Sequence, residues 1–342
     1  MEKYRVGIVG ATGMVGQRFI SLLKDHPWFE VNCVAASARS AGKTYREAVG
    51  ERWAFAWEIP EKVAGMTVVD AADIDEVSKH VDFVFCAVDM KKDEIRALEE
   101  AYAKHEIPVV SNNSACRGIE DVPMVVPEIN ADHLAVIEAQ KKRLGTKNGF
   151  IAVKPNCSIQ SYVPALTPLL DFEPEKVSVC TYQAISGAGK TFKTWPEMVD
   201  NVIPYIGGED EKSENEPLKL WGHVEDGKIV NAALPVISAQ CLRVACSDGH
   251  MAAVSVSFKK KPTIEQIKER WANYETEAQR LELPSAPKPF LQYFEDPSRP
   301  QTRLDRDFQN GFGVSIGRLR EDKLFDYRFV CLSHNTVRGA AG

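Results

Sequence analysis

Arg5-Val6-Gly7-Ile8-Val9-Gly10-Ala11-Thr12-Gly13-Met14-Val15-Gly16 begins as an apolar strand, turns at spaced glycines and continues with Val15, Phe19, Leu22 and Leu23 at helical spacing. Strand, glycine turn and helix stand in the order of a first βα turn. There the missing side chains let the backbone approach a pyrophosphate, and the helix N-terminus faces its charge. Gly10, Thr12, Gly13, Met14 and Val15 are therefore candidate dinucleotide-binding residues. A tight turn of purely structural use is the competing meaning, and the placement between strand and helix counts against it.

Further along, residues 31–36 form a second apolar strand that ends in Ser37-Ala38-Arg39-Ser40. An NAD enzyme commonly carries an Asp or Glu there for the ribose 2′-hydroxyl. Glu30 precedes the strand and belongs at the opposite edge of the sheet. A cation with hydroxyls suits a 2′-phosphate instead, so Ser37, Arg39 and Ser40 favour NADP. The continuous apolar run 81–88 reads as a strand buried in a parallel sheet. A helix with Ile95, Leu98 and Tyr102 follows it, then a strand over 107–110 and the polar loop 111–117. Arg117 in that loop is placed to hold an anion.

The apolar run 150–153 stops at Lys154-Pro155-Asn156-Cys157-Ser158. The pattern predicts a helix starting at Cys157, whose positive end lowers a thiol's pKa and makes a nucleophile. A buried cysteine used as a small hydrophobe is the plainer alternative. Beyond this point βα alternation gives way to predicted strands over 177–183, 231–236, 251–258, 313–317 and 324–332, with one amphipathic helix over 264–281. That reads as a second domain of α+β type, with the boundary near 155. Segments 209–217 and 283–289 read as loops from their charge and proline. Ala184-Ile185-Ser186-Gly187-Ala188-Gly189-Lys190-Thr191 satisfies a relaxed P-loop pattern, so an NTP-binding protein is the rival of another class. Ala184 in place of the first glycine, and Pro196 where a long helix should run, weaken it. Arg243-Val244-Ala245-Cys246-Ser247-Asp248-Gly249-His250 places a histidine after an Asp-Gly turn, and His is the usual partner of a cysteine nucleophile.

The 342 residues predict two domains, and the formal charge of -6 without a long basic run speaks against nucleic acid or a membrane surface as partner. The first residues enter a strand at once, unlike a signal peptide. Eight cysteines are scattered without Cys-x-x-Cys spacing. That pattern argues against a disulfide framework or a zinc site and fits reduced thiols in a cytoplasm.

Taken together, GATGMVG, SARSAGK, SNNSACR, KPNCS, TYQAISGAGK, Glu216-Pro217-Leu218-Lys219, RVACSDGH and SHNTVRGAAG resemble the aspartate-semialdehyde dehydrogenase family, in its archaeal and fungal branch. The resemblance implies an α/β architecture similar to glyceraldehyde-3-phosphate dehydrogenase. A Rossmann-type NADP-binding domain would span 1–155, completed by 335–342, with an α+β catalytic and dimerisation domain over 156–334. It also implies a further helix after Gly342 that packs on the nucleotide domain. Carried over by position, Cys157 is the nucleophile, His250 the general acid/base and Gln183 the residue orienting substrate. Arg243 pairs with the substrate α-carboxylate and Glu216 with its ammonium. Arg117 and Lys219 hold phosphate with Asn113 nearby, while Ser186, Gly187 and Asn335 belong to the cofactor site. The implied reaction is NADP-dependent reductive dephosphorylation of L-aspartyl 4-phosphate to the semialdehyde, through a cysteine thioester, in lysine, threonine and methionine biosynthesis. A homodimer or homotetramer is implied as well. Malonyl-CoA reductase and N-acetyl-glutamyl-phosphate reductase are the related alternatives, and neither substrate offers an ammonium for a carboxylate to pair.

Overall fold

The computed structural model describes residues 2–342, with Met1 outside the described residues. Tyr4–Val9 (β1), Phe29–Ala36 (β2), Val69–Asp70 (β3), Phe83–Cys86 (β4), Val109–Ser111 (β5) and Ile151–Val153 (β6) form a six-stranded sheet in the order β3-β2-β1-β4-β5-β6. All of its pairings are parallel. Successive residues of a strand point to opposite faces, and both faces here are covered. Val6, Ile8, Val31 and Val34 pack with Phe19 and Ile20, whereas Val9, Cys33 and Ala35 pack with Val84, Cys86 and Tyr102. The strand order reverses between β1 and β4, the switch point beyond which open α/β sheets bind ligands.

The glycine turn closes only because side chains are missing. Gly10 has φ 91°, and a Cβ on Gly16 would stand 2.4 Å from the Gly10 carbonyl oxygen. The helix Met14–Leu23 can thus rest directly on β1.

A second sheet has seven strands: Pro174–Gln183 (β7), Val202–Ile203 (β8), Val236–Val244 (β11), His250–Phe258 (β12), Leu291–Phe294 (β13), Val314–Glu321 (β14) and Tyr327–Ser333 (β15). The hairpin His223–Glu225 (β9) and Lys228–Val230 (β10) stands apart from it. The order is β13-β14-β15-β12-β7-β11-β8, with β7 parallel to β11 and antiparallel to β12. The expected strand over 231–236 is absent. Its residues are irregular up to Pro235, which has no N–H for a ladder, and β11 starts at Val236.

Three further expectations are corrected. The charged segment expected as a loop is the helix Glu209–Leu220, which escapes apolar periodicity because its buried face includes Glu209, Ser213 and Lys219. Pro217 within it cannot donate to the Ser213 carbonyl, and the Tyr162 hydroxyl donates there instead at 2.8 Å. The single helix expected over 264–281 is two, Ile264–Ala272 and Glu277–Arg280, each opened by its own threonine capping box. After Cys157 the chain makes only short turns, Ile159–Ser161, Val163–Leu166 and Thr167–Phe172, interrupted where Pro164 and Pro168 withhold an N–H. The P-loop reading also falls, since no α-helix follows Lys190 before Glu209 among the described residues.

One apolar cluster joins the two sheets: Val84, Ile151 and Val153 meet Val177, Val179, Val254 and Val256 through Ile159, Tyr162 and Leu166. The segment beyond Cys157 therefore lies inside the shared core. Residues Val337–Ala341 return to the first sheet, where Ala341 packs on the Phe19 cluster. No helix among the described residues is long and apolar enough to cross a membrane.

Gly16→Ala should force the helix off β1 and destabilise the protein by roughly 1–3 kcal/mol, the usual cost of overpacking. Denaturant unfolding measures it. A loss below about 0.5 kcal/mol, the level of an indifferent surface change, would show that the close approach is not required.

Candidate active site

A cavity of about 570 Å³ opens beyond the C-terminal ends of β1, β2 and β4, and Gly10, Thr12, Gly13, Ser37, Arg39 and Ser40 line it. Gly13 is the N-cap of the helix Met14–Leu23 without a side-chain cap, and the first helical bond runs from Gln17 N–H to the Gly13 carbonyl. The N–H groups of Met14, Val15 and Gly16 are thus left for a ligand. Met14 and Val15 offer backbone only; neither side chain lines the cavity, and Val15 packs on the core. Lys43 and Arg52, which sequence reasoning missed, share the wall with Arg39. None of these three cations has a carboxylate partner among the described residues. Glu30 pairs with Lys62 at the far end of β2, as its place before the strand predicts.

Cys157 follows β6 at the same sheet edge, and its Sγ lies 3.4 Å from His250 Nε2. The fully buried His250 opens β12, and its Nδ1 accepts a 3.0 Å bond from Ala184 N–H. A neutral ring so held carries its proton on Nε2, towards the sulfur. Burial, then the charge of Arg243, keeps the imidazole well below its ordinary pKa. The thiol goes against the sequence-based expectation. Burial and the charge of Glu209 push its pKa up, and Lys154, Arg117 and Arg243 offset this only in part. Burial is the leading cause, and the short turns after Cys157 supply no long helix whose dipole would lower the pKa.

Arg243 on β11 lies in register with Gln183 on β7, and its Nη1 donates 2.8 Å to the Ala184 carbonyl. A Cβ on Gly187 would stand 2.8 Å from Arg243 Nη1 and 3.0 Å from His250 Nε2, so glycine keeps that side of the cluster open. Asn335 was expected in the cofactor site. Its amide instead ties Gly249 N–H at 2.8 Å to Ser186 Oγ at 2.9 Å, bracing the two turns against each other.

Two carboxylates of the helix Glu209–Leu220 reach the nucleophile's loop. Glu209 accepts from Asn156 Nδ2 at 2.9 Å, Gln183 Nε2 at 3.2 Å and Lys212 Nζ at 2.8 Å. Burial alone would raise its pKa, but the charge of Lys212 and these bonds hold it below the usual value. Glu216 accepts from Asn156 N–H at 2.5 Å and from Arg117 Nη1 at 2.9 Å. It is therefore already engaged where an ammonium partner was expected. Lys219 is likewise corrected: its ammonium donates to the carbonyls of Arg117, Ile119 and Val122 and so has no proton left for phosphate. Asn113 turns its amide inward to Glu99 and Cys86. Arg117 keeps a buried Nε without a partner.

Residues 5–137 match the family described as semialdehyde dehydrogenase, NAD binding domain, and 166–338 match semialdehyde dehydrogenase, dimerisation domain. Aspartate-semialdehyde dehydrogenase of Schizosaccharomyces pombe is 45% identical over 345 residues, covering 99% of this chain and 95% of that protein. The Archaeoglobus fulgidus enzyme is 43% identical over 342 residues, covering 99% and 95%. The chain belongs to the aspartate-semialdehyde dehydrogenase family. A crystal structure of the Candida albicans enzyme with NADP superposes with a TM-score of 0.89 at 38% identity, covering 100% of this chain and 96% of that one. The fold is shared more widely, as with a Vibrio cholerae aspartate semialdehyde dehydrogenase II at TM-score 0.74 and 23% identity.

Within this aspartate-semialdehyde dehydrogenase fold, sequence reasoning missed Glu209, whose charge acts on the thiol, and Lys212, which donates to Glu209. A signal was present: Glu-x-x-Lys occurs at 209/212 and again at 216/219, two helical turns apart. Only packing decides which copy faces the nucleophile.

With its thiol pushed up, Cys157 should be alkylated by iodoacetamide at a rate that climbs with pH and half-saturates above about 8.5, the value for a free thiol. A half-saturation near 6–7, the range of activated thiolates, would contradict the neutral Cys157–His250 pair.

Proposed function

We propose that the chain catalyses the reversible, NADP-dependent reductive dephosphorylation of L-aspartyl 4-phosphate to L-aspartate 4-semialdehyde and phosphate, a step of lysine, threonine and methionine biosynthesis. The observation that carries this reading is the Cys157–His250 pair, 3.4 Å apart, with the buried charges of Glu209 and Arg243 beside it. A zwitterionic amino acid needs one carboxylate and one guanidinium near the reacting carbon, and these two residues are of that kind. Glu209 takes the role expected of Glu216, and Lys212 that expected of Lys219. The NADP of the Candida albicans structure fits this chain too, since Arg39, Lys43 and Arg52 line a cavity that no acidic residue of β2 closes.

When bound, the cofactor supplies hydride to the acyl carbon or accepts it. The chain's own residues do the rest. In the reductive direction the Cys157 Sγ bonds to the acyl carbon, the acyl C–O bond to phosphate breaks, and the thiol proton goes to the departing phosphate, which leaves toward Arg117 and Lys212. A thioester remains on the sulfur. Gln183 and Arg243 orient the amino-acid end. The Cys157 N–H makes no hydrogen bond within the described chain. Together with Nε2–H of His250 it is placed to meet the oxygen that becomes negatively charged. When the hemithioacetal collapses, the same Nε2–H stabilises the departing thiolate.

We also propose the domain limits 1–155 with 335–342 and 156–334, supported by the extent of the two sheets, Tyr4–Val153 and Pro174–Ser333. Tyr182 of β7 and Val236, Ser238 and Gln240 of β11 remain exposed on one face of the second sheet. We assign that face to a homodimer contact, with a homotetramer as its further assembly. Sedimentation of wild type beside Val236→Glu tests it, and an unchanged oligomer in the variant would contradict the assignment.

The reaction is tested at 340 nm with semialdehyde, phosphate and NADP. Cys157→Ala should lower turnover by at least about 10³-fold while NADP binding changes only a few fold. A variant that keeps a tenth of the activity would rule out the covalent route. Glu209→Gln should raise KM for the semialdehyde about ten- to a hundredfold, and more than it lowers kcat. Equal effects on a substrate analogue lacking the amino group would remove the ammonium contact. Arg39→Ala should weaken NADP about tenfold or more relative to NAD, as expected for a charge-assisted contact to the 2′-phosphate.

A further inference from the structure

The helix Glu209–Leu220 touches two loops that leave neighbouring strands of the first sheet, β5 and β6. Glu209 and Ser213 meet the nucleophile's loop at Asn156 and Ser158, and Lys219 holds three carbonyls of the loop that carries Arg117. Glu216 lies between them on the same helix face and is the one side chain here that grips both loops. Its Oε1 accepts from Arg117 Nη1 at 2.9 Å and its Oε2 from Asn156 N–H at 2.5 Å. The ion pair is sheltered, with side-chain exposures of 10% and 12%. The Arg117 guanidinium is otherwise held, among the described residues, only through Nη2 on the Asn112 carbonyl.

We propose that Glu216 is a positioning residue that sets the anion-holding guanidinium of Arg117 relative to Cys157, and that it makes no contact with the substrate. The proposal rests on the function given above. A carboxylate is required because both of its partners are donors. A glutamine can accept from one of them, but its NH₂ then meets the other, leaving a buried donor without an acceptor. An aspartate keeps two acceptor oxygens and the charge on a stem one methylene shorter.

The test compares wild type, Glu216→Gln and Glu216→Asp for KM of each substrate. It is paired with calorimetric titration of inorganic phosphate into the resting enzyme, which needs no turnover. Glu216→Gln should weaken phosphate about tenfold by both readouts, with KM for semialdehyde and NADP within about twofold. Glu216→Asp should recover part of the phosphate affinity, and melting temperatures should stay within roughly 3 °C of wild type, as expected when the core is untouched. A rise confined to the semialdehyde KM would make Glu216 an ammonium contact and overturn the proposal. Tighter phosphate in Glu216→Gln would also overturn it, because Glu216 would then only neutralise Arg117. A wild type that binds phosphate yet never oxidises the semialdehyde would instead defeat the assigned reaction, while the calorimetry still decides the role of Glu216.

Discussion

Asn156 is held from two sides by carboxylates of one helix, and the place of Cys157 follows from that grip. Glu209 fixes the Asn156 side chain and Glu216 its backbone N–H. Asn156 Oδ1 in turn accepts from Ser158 N–H at 2.8 Å, which shapes the turn on which the thiol sits. Buried carboxylates without partners are costly, whereas these are supplied with donors on each oxygen. The arrangement engages the polar groups of Asn156 and Ser158 on either side of Cys157 and leaves the His250 Nε2 beside the sulfur.

The two halves of the site are legible to different degrees in the sequence. The glycine turn is a local feature, in which strand, turn and helix occupy one short stretch, so Gly10, Gly13 and Gly16 announce the parallel sheet and its cavity. Cys157 and His250 are also legible, because each stands beside a strand end with a turn residue next to it. What sequence misplaces is the helix Glu209–Leu220. Its buried face is polar, so hydrophobic periodicity is silent, and its Pro217 argues for a break. The tertiary bond from Tyr162 to Ser213 compensates for the N–H that Pro217 lacks, and no local rule predicts it. Choosing Glu216 and Lys219 over Glu209 and Lys212 is the same failure at finer scale.

Burial and charge act against each other on the half-buried Cys157 thiol. In the resting protein burial raises its pKa, while Lys154, Arg117 and Arg243 pull the other way. Lys154, itself lowered to about 8 by burial and then by Arg117, donates to the carbonyls of Pro155 and Gly339. Burial is the largest of these effects, so the resting Cys157 keeps its proton and the cations around it lower the cost of negative charge on the sulfur only in part.

The whole mechanism turns on Cys157 carrying the acyl group. Intact-protein mass spectrometry after mixing enzyme, aspartate semialdehyde and NADP without phosphate tests it most directly. The account predicts a mass increase of one aspartyl acyl group, located on Cys157 by peptide mapping and discharged when phosphate is added. An enzyme that reduces NADP with no adduct, or an adduct on another of the eight cysteines, would contradict it.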